Sequence, residues 1–470
     1  MLQNDNEQNR NLNKPPLTVI ELFSGIGAQK RGIDLTGLFD CKIVATADIN
    51  KDAIVSYAAI HNGLTNEAIE SYSEYPSEDD MRDELVQRNI GLDLKKKTNS
   101  ISKMKGKKLK KYYLAMELSN NLGDITKINK LPKSELWTYS FPCQDISVAG
   151  KQKGIIKGET RSGLLYEVER LLKIAKQEKT LPKYLLLENV KNLVGKQFKE
   201  QFDAWVQWLD ELGFNTYWQV INAKNCGIPQ NRERVFALSI RKDIDTKEFE
   251  FAKPFDLGIR LIDLLDDDVG EKYYISNEKT EKFLQNLDME AIIKNTIEAY
   301  TNNKKDTTNK LNFIGNIYGK QFGTGYAGCV WDSANIAPTL TTMQGGGRQP
   351  YILCPVDGKT SLANYKRTGS IGATGVKNGI GIRKLTPKEC FRLMGFSDTD
   401  YERVVSVGVS NSACYSQTGN SIVTSCISGI MEHLYKAQYD STYQCFDENF
   451  LHATSGIISI CGENKPILVG

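Results

Sequence analysis

Apolar positions along this chain fall into short runs separated by longer amphipathic stretches, and that spacing sets the first structural expectation. Leu17 to Leu22 is an apolar run interrupted only by Thr18 and Glu21, and Gly25 and Gly27 follow it. It reads as a buried strand turning into a helix that continues through Leu35. Lys42 to Ala47, Leu136 to Phe141 and Tyr184 to Leu187 are further strand-length runs closed by polar turn residues. Helical periodicity over Leu164 to Ala175 and Lys199 to Leu212 separates or follows them. Strands alternating with helices predict an α/β fold with a parallel sheet covered on both faces. From about Pro254 to Ser370 the pattern breaks into short segments with Gly and Asn clusters, including Gly345, Gly346 and Gly347, which predicts a second, loop-rich domain. No internal repeat of fixed period is present in the sequence.

Composition narrows the class. A chain of 470 residues with 40% hydrophobic and 25% charged residues is expected to bury a sizeable core in two or more units. No stretch approaches the roughly 20 apolar residues that span a bilayer, so no membrane partner is expected. Met1 to Pro16 is rich in Asn and Gln, lacks the pattern of a secretory signal, and reads as a flexible N-terminus. The 10 cysteines are scattered from Cys41 to Cys461 without a Cys-x-x-Cys pair, which predicts reduced thiols in a cytoplasm. With 3 histidines and no Cys/His cluster, no metal site is expected. A net charge of +3 decides nothing by itself, yet Gly91 to Tyr113 carries nine lysines against the single acid Asp93.

The chemistry begins at the first turn. Glycines at 25 and 27 let backbone approach a ligand where a helix offers unpaired N–H groups. The second strand ends at Asp48, where an acid can accept bonds from a ribose diol or simply be a solvated turn carboxylate. The decisive segment is Phe141-Pro142-Cys143-Gln144-Asp145, followed by Ser147, Gly150, Lys151 and Gly154. In order along the chain it is joined by Asp124 in Asn-Leu-Gly-Asp, Arg161 to Leu165, Glu188-Asn189-Val190, and Gln230-Asn231-Arg232-Glu233-Arg234. Arg383 to Phe396 and Gln417-Thr418-Gly419-Asn420-Ser421 complete the series. This ordered set resembles the DNA (cytosine-5)-methyltransferase family, whose nucleophile lies in a Pro-Cys dipeptide.

The resemblance implies a Rossmann-like, S-adenosylmethionine-dependent methyltransferase sheet with a second, smaller target-recognition domain. It implies a flexible segment 1–16, a catalytic domain over 17–254 with a lysine-rich insertion at about 64–120, and a recognition domain over 255–404. The chain would return to the catalytic domain over 405–435 and end in an extension, 436–470. Cys143 would add to cytosine C6, Glu188 would hold the N3 edge and share a proton, and Arg232 and Arg234 would stabilise developing charge and organise the carboxylate. S-adenosyl-L-methionine would meet Phe23, Ser24, Gly25 and Gly27, with Asp48 and Ile49 at the ribose, Asp124 at the adenine amino group, and Asn420 and Ser421 closing the pocket. Many relatives carry Glu where this chain has Asp48, a shorter reach.

Double-stranded DNA is the implied partner, with the target base flipped into the pocket. Gln144, Gln230, Thr339, Leu340 and Arg348 are carried to the DNA side, since the Thr-rich and Gly-rich stretch 338–349 has the character of a groove-reading loop. A Thr-rich strand without base contacts is the plainer alternative there; the lysine-rich stretch would add phosphate contacts to DNA, with a solvated charged loop as its plain alternative. A restriction-modification or phage role, with a cognate restriction endonuclease, and a monomer are expected. Two other functions stay open. A tRNA cytosine-5 methyltransferase would show a Cys-Phe-Thr signature that this sequence lacks. A catalytically silent DNA-binding regulator would have lost Cys143, Glu188 or the arginines, and all are present.

Overall fold

The apolar runs become neighbouring strands of one six-stranded sheet. The computed structural model describes residues 14–143, 146, 161–267, 269–285, 309–319, 321–324, 327–343, 348–355, 380–440 and 442. The expectations for residues 1–13, for the run after Cys143 that includes Gln144, for Gly345 to Gly347, and for the extension beyond 442 lie outside them. Twelve strands are labelled here: β1 (Pro16–Leu22), β2 (Asp40–Ala47), β3 (Leu92–Asp93), β4 (Thr98–Asn99), β5 (Leu136–Tyr139), β6 (Tyr184–Val190), β7 (Phe214–Asn222), β8 (Glu233–Arg241), β9 (Phe313–Asn316), β10 (Cys329–Asp332), β11 (Tyr351–Pro355) and β12 (Ile380–Lys384). The large sheet has the order β2-β1-β5-β6-β8-β7.

Its first four strands are parallel, but β8 runs antiparallel to both β6 and β7. The four runs read as strands thus form the expected parallel sheet, and β8, which was not singled out, makes the whole sheet mixed. The reason lies in the connection from β7 to β8, which holds only the short turn Ala223–Asn225 and no crossover helix, so the chain can return only antiparallel.

Alternation along the strands sorts side chains onto two faces. Leu17, Val19, Leu136 and Leu186 join the core beneath helices Ala28–Thr36, Lys51–His61 and Thr424–Tyr439. Ile20, Leu22, Trp137, Leu185 and Leu187 join the core beneath helices Leu165–Gln177 and Lys199–Leu212. Glu21 sits on the first face and is fully buried, accepting the Lys30 N–H at 2.9 Å and the Tyr57 hydroxyl. Burial pushes its carboxyl up to about 7.

The lysine-rich insertion is folded rather than loose. Helices Asn66–Ser71, Glu78–Gln87 and Gly106–Leu118 accompany the β3–β4 hairpin. Leu109, Tyr112, Leu114 and Met116 of the last helix are buried in the first core. Several lysines are engaged locally. Lys107 pairs with Glu70, Lys110 lies 4.8 Å from the Tyr75 ring centre, and Lys111 donates to the Val407 carbonyl at 2.9 Å.

A second sheet of four strands, in the order β12-β11-β10-β9, surrounds Phe283, Val330, Tyr351, Leu353 and Ile382. The segment Arg383 to Phe396 connects it to the helices that follow. Arg383 clasps Glu389 through contacts of 2.7 and 2.8 Å, both side chains fully buried. Glu389 also takes the N–H groups of Thr386 at 2.7 Å and Asp266 at 2.8 Å, while Arg392 pairs with Asp398 and Asp266. Helix Asp398–Ser406, inside the span expected for recognition, already lies against the catalytic layer. Its Arg403 donates to the Ile60 carbonyl at 3.1 Å and its Asp400 pairs with Arg31 at 3.1 Å.

Two outcomes follow. Glu389→Ala strands a buried guanidinium, so urea unfolding is expected to show a loss of about 3–5 kcal/mol. Glu21 has a raised pKa in the folded chain, so its contribution is full below the ordinary glutamate range and fades as pH rises towards 7. Between pH 5 and 8 the Glu21→Gln variant is expected to flatten a pH-dependent stability loss on the order of 3 kcal/mol in the parent chain. Parallel pH profiles for the two proteins would contradict this.

Candidate active site

Cys143 lies just past the end of β5, on a turn held by side chains from three other segments. Ser162 donates to the Pro142 carbonyl at 2.8 Å, Asn189 to the Phe141 carbonyl at 3.0 Å, and Asn192 to the Ile146 carbonyl at 2.6 Å. The Ile146 N–H closes the turn on the Cys143 carbonyl at 3.0 Å. Backbone carbonyls in an irregular loop need such partners when buried, and here the donors also fix where the thiol points. Asn189 and Ser162 lie inside the motifs quoted from sequence but received no role there, and Asn192 was not singled out. Asn189 directly follows the glutamate at the end of β6, and that position was the available signal.

Glu188 is buried at the end of β6, and Arg234, on neighbouring β8, meets it with Nε 3.2 Å from Oε1. Burial raises the Glu188 carboxyl above the usual glutamate range, while Arg234 and then Arg232 pull it back. The Cys143 thiol is likewise raised, first by burial and next by the Glu188 charge, with Arg234 and Arg232 opposing. These four groups thus sense one another electrostatically. Ser140, three residues before the thiol, has a buried hydroxyl that faces Glu188 and favours its charged form. The cluster therefore sets a thiol, a carboxyl and two guanidinium groups within electrostatic reach of one another.

Arg232 and Gln230 do a different job from Arg234. Arg232 is buried and donates to the carbonyls of Leu340 at 3.0 Å, Gly419 at 3.0 Å and Ser421 at 2.7 Å. Gln230 is fully buried, donating to the Leu393 carbonyl at 2.7 Å and accepting the Leu340 N–H at 3.1 Å. Leu340 is buried as well. Gln230 and Leu340, expected on the DNA side, are thus corrected to buried positions that join the 337–341 segment to the catalytic sheet. Their polar groups are satisfied internally. Thr339 and Arg348 are exposed on the same stretch, with the Thr339 hydroxyl donating to the Asn231 carbonyl.

The residues expected around the methyl donor gather at the C-terminal ends of β1 and β2. The chain turns through left-handed conformations at Phe23, Gly25 and Gly27, with φ of 60°, 54° and 79°. A Cβ on Gly25 would meet nothing within 4 Å, so this loop borders open space. The Asp48 carboxylate accepts the Gly25 N–H at 2.9 Å and the Asn50 N–H at 2.7 Å. Ser24 is buried, and Ile49 is half-buried beside Asp48. Asp124 is half-buried nearby, on a segment that lies beside β2 through a bridge between Thr46 and Asn121. Gln417 brings the last motif to this edge by donating to the Asp52 carbonyl at 3.0 Å and accepting from Ser56 at 3.0 Å. Asn420 is exposed at the end of its helix, and the Ser421 hydroxyl donates to the Ile422 carbonyl at 3.2 Å. A glycine-lined opening flanked by two carboxylates fits an adenosine carrying a ribose diol and an amino group.

A mixed α/β sheet with a glycine turn at one strand end and a thiol near a buried glutamate–arginine pair is the arrangement that the resemblance to methyltransferases leads one to expect. The comparisons with known proteins give the family. Residues 80–436 match the C-5 cytosine-specific DNA methylase family, and the chain belongs to it. The type II methyltransferase M2.ScrFI of Lactococcus lactis subsp. cremoris is 35% identical over 425 residues, covering 90% of this chain and 100% of that one. The orphan methyltransferase M.SssI of Spiroplasma monobiae is 31% identical over 429 residues, covering 89% and 97%. The type II methyltransferase M.HhaI of Haemophilus parahaemolyticus is 30% identical over 303 residues, covering 64% and 76%. The chain is a DNA (cytosine-5)-methyltransferase whose methyl donor is S-adenosylmethionine. Among the described residues no helix is long and apolar enough to cross a membrane.

The electrostatics can be read by thiol alkylation. Removing the Glu188 charge in Glu188→Gln is expected to lower the pH midpoint for Cys143 alkylation, and Arg234→Met to raise it. Identical midpoints in all three proteins would sink the assignment of these groups to one cluster. Asn189→Ala leaves the Phe141 carbonyl unpaired, and a fall in methyl transfer of at least tenfold is expected from the displaced turn.

Proposed function

We propose that Cys143, Glu188 and Arg234 carry out the methylation of C5 on a cytosine flipped out of duplex DNA. The observation that carries this reading is the thiol held on a four-bond turn beside the buried Glu188–Arg234 pair. Cytosine C5 is a weak nucleophile until something adds at C6. The Cys143 thiol first gives its proton to solvent; the thiolate sulfur then forms the bond to C6, and the C5–C6 π pair shifts towards C5. Glu188, whose hold on a proton burial strengthens, shares a proton with N3, so the ring does not accumulate negative charge. Arg234 keeps that carboxyl in place and adds fixed positive charge to the addition transition state. S-adenosylmethionine, when bound, supplies an electrophilic methyl group. C5 takes that methyl as the thioether S-adenosylhomocysteine leaves, the C5 proton departs to a base, the returning electron pair expels the Cys143 thiolate, and the N3 proton returns to Glu188.

Phe23, Ser24, Gly25, Gly27, Asp48, Ile49 and Asp124 are assigned to the donor pocket, with Asn420 and Ser421 beside it. The open space at Gly25 and the carboxylates at Asp48 and Asp124 support this. Arg232 acts by clamping the loop that carries Leu340 and the helix end at Gly419 and Ser421. Exposed Thr339 and Arg348 are the described residues assigned to DNA contact. Residues 17–254 with the 405–435 return are assigned to catalysis and 255–404 to target recognition, with helix Asp398–Ser406, where the last two spans meet, packing on the catalytic layer. The type II name of the relative at 35% identity supports a restriction-modification role; an endonuclease acting on the same DNA site, a monomer and a cytoplasmic location belong to the same reading. The tRNA reading is not favoured by a family match to DNA methylases.

Transfer of labelled methyl groups to duplex DNA and to tRNA tests the reading directly. Incorporation is expected into DNA, is lost in Cys143→Ala, and slows about 10²- to 10⁴-fold in Glu188→Gln. Transfer that survives Cys143→Ala, or that goes to tRNA alone, overturns it.

A further inference from the structure

We propose that Asn89, supplied by the inserted segment, is a positioning residue of the methyl-donor pocket that aims the Asp124 carboxylate at the adenine amino group. The inference rests on the reading that Asp124 meets that amino group, and it gives the insertion a role in donor recognition.

The geometry starts at the end of helix Glu78–Gln87. Asn89 takes a left-handed conformation, φ 57°, and the Ile90 N–H reaches back to the Leu85 carbonyl at 2.9 Å while the Ile90 side chain is buried. Asn is among the few residues that accept this backbone after a helix. The turn directs the Asn89 side chain at Asp124, with Nδ2 donating to Oδ2 at 2.7 Å. The other oxygen, Oδ1, already accepts the Thr126 N–H at 3.0 Å and the Thr126 hydroxyl at 2.9 Å. An ionised carboxylate offers about four lone-pair directions, so these three donors leave the remaining acceptor direction on Oδ2. Asn89 therefore decides which way the free acceptor faces.

The surrounding backbone fixes the approach. Asp124 N–H donates to the Arg88 carbonyl at 2.9 Å, and the Arg88 guanidinium donates to the Asn121 carbonyl at 2.6 Å. Gly91 N–H donates to the Ile49 carbonyl at 2.8 Å. One short turn of the insertion thus touches both the Asp48–Ile49 segment and the Asp124 segment. Gly123 makes the contact feasible: it has φ 77°, and a Cβ there would lie 2.3 Å from the Arg88 carbonyl oxygen. The glycine of the Asn-Leu-Gly-Asp sequence is accounted for by the close approach of the inserted turn.

The test is equilibrium calorimetry on the full chain with two probes, S-adenosylhomocysteine and S-inosylhomocysteine, in which an oxo group replaces the 6-amino group. Asn89→Gly keeps the left-handed backbone and deletes the amide. It is expected to weaken S-adenosylhomocysteine about tenfold and to change S-inosylhomocysteine little, so that discrimination between them narrows. Asn89→Asp, which replaces the donor with a like charge, is expected to weaken the adenosine ligand further. Unchanged affinity in Asn89→Gly, or equal weakening of both probes, overturns the proposal. Asp124→Ala separates the two levels of the argument. If it narrows discrimination and Asn89→Gly does not, the Asn89 inference alone falls; if it does not narrow discrimination, the Asp124 reading falls and takes this inference with it.

Discussion

Arg232 is the constraint on which the joining of the two sheets depends. A guanidinium taken out of water must be surrounded by acceptors, or its burial costs several kcal/mol. Here the acceptors are backbone carbonyls from two distant places, Leu340 in the segment before β11 and Gly419 and Ser421 at the end of a C-terminal helix. The charge can be satisfied only when those segments converge on the start of β8. Gln230 reinforces the same junction by pairing with Leu340 and Leu393, and the bridge between Gln230 and Ala337 aligns the backbones. Gly419 permits the closeness, since a Cβ there would lie 2.2 Å from the Thr341 carbonyl.

That junction also sets the catalytic electrostatics. Once residue 232 is anchored, Arg234 falls two positions along on β8, which is antiparallel to β6, and reaches Glu188 across the pair. One arginine fixes structure and the next fixes charge. A buried glutamate with a single arginine partner keeps its proton more readily than a solvated one, yet remains polarised, which suits a group that must share a proton with a base ring. The nucleophile is held independently, by donors from Ser162, Asn189 and Asn192 on its own turn. Position and electrostatics are thus supplied by separate sets of contacts on adjacent strands.

Much of this was legible in the sequence. Helix Lys199–Leu212 has the bounds its periodicity predicts, and strand β1 differs from its expected span by one residue, because both bury one regular apolar pattern. The features that the sequence did not reveal share a cause: they depend on partners far away in the chain. The antiparallel course of β8 follows from a short connection, a topological matter that an apolar run does not encode. The burial of Gln230 and Leu340 follows from the packing of three segments, whereas their local pattern of polar and Thr-rich residues suits an exposed loop equally well. Asn89 had only one local signal, an asparagine before a buried isoleucine at a helix end, and nothing local pointed to Asp124 35 positions away.

The sequence by itself determined the family chemistry: a thiol after a proline, a glutamate ending an apolar strand, and alternate arginines arrive in an order that specifies one reaction type. It also determined the alternating α/β layers, since those rest on residue periodicity. Tertiary structure alone decided which of two nearby arginines faces the glutamate and which joins the sheets. It also decided that a lysine-rich insertion is packed into the core and pressed against the segments assigned to the methyl donor. The physical reason is that hydrogen bonds and burial are satisfied between segments brought together by folding, while periodicity and motif spacing record only what each segment needs for itself.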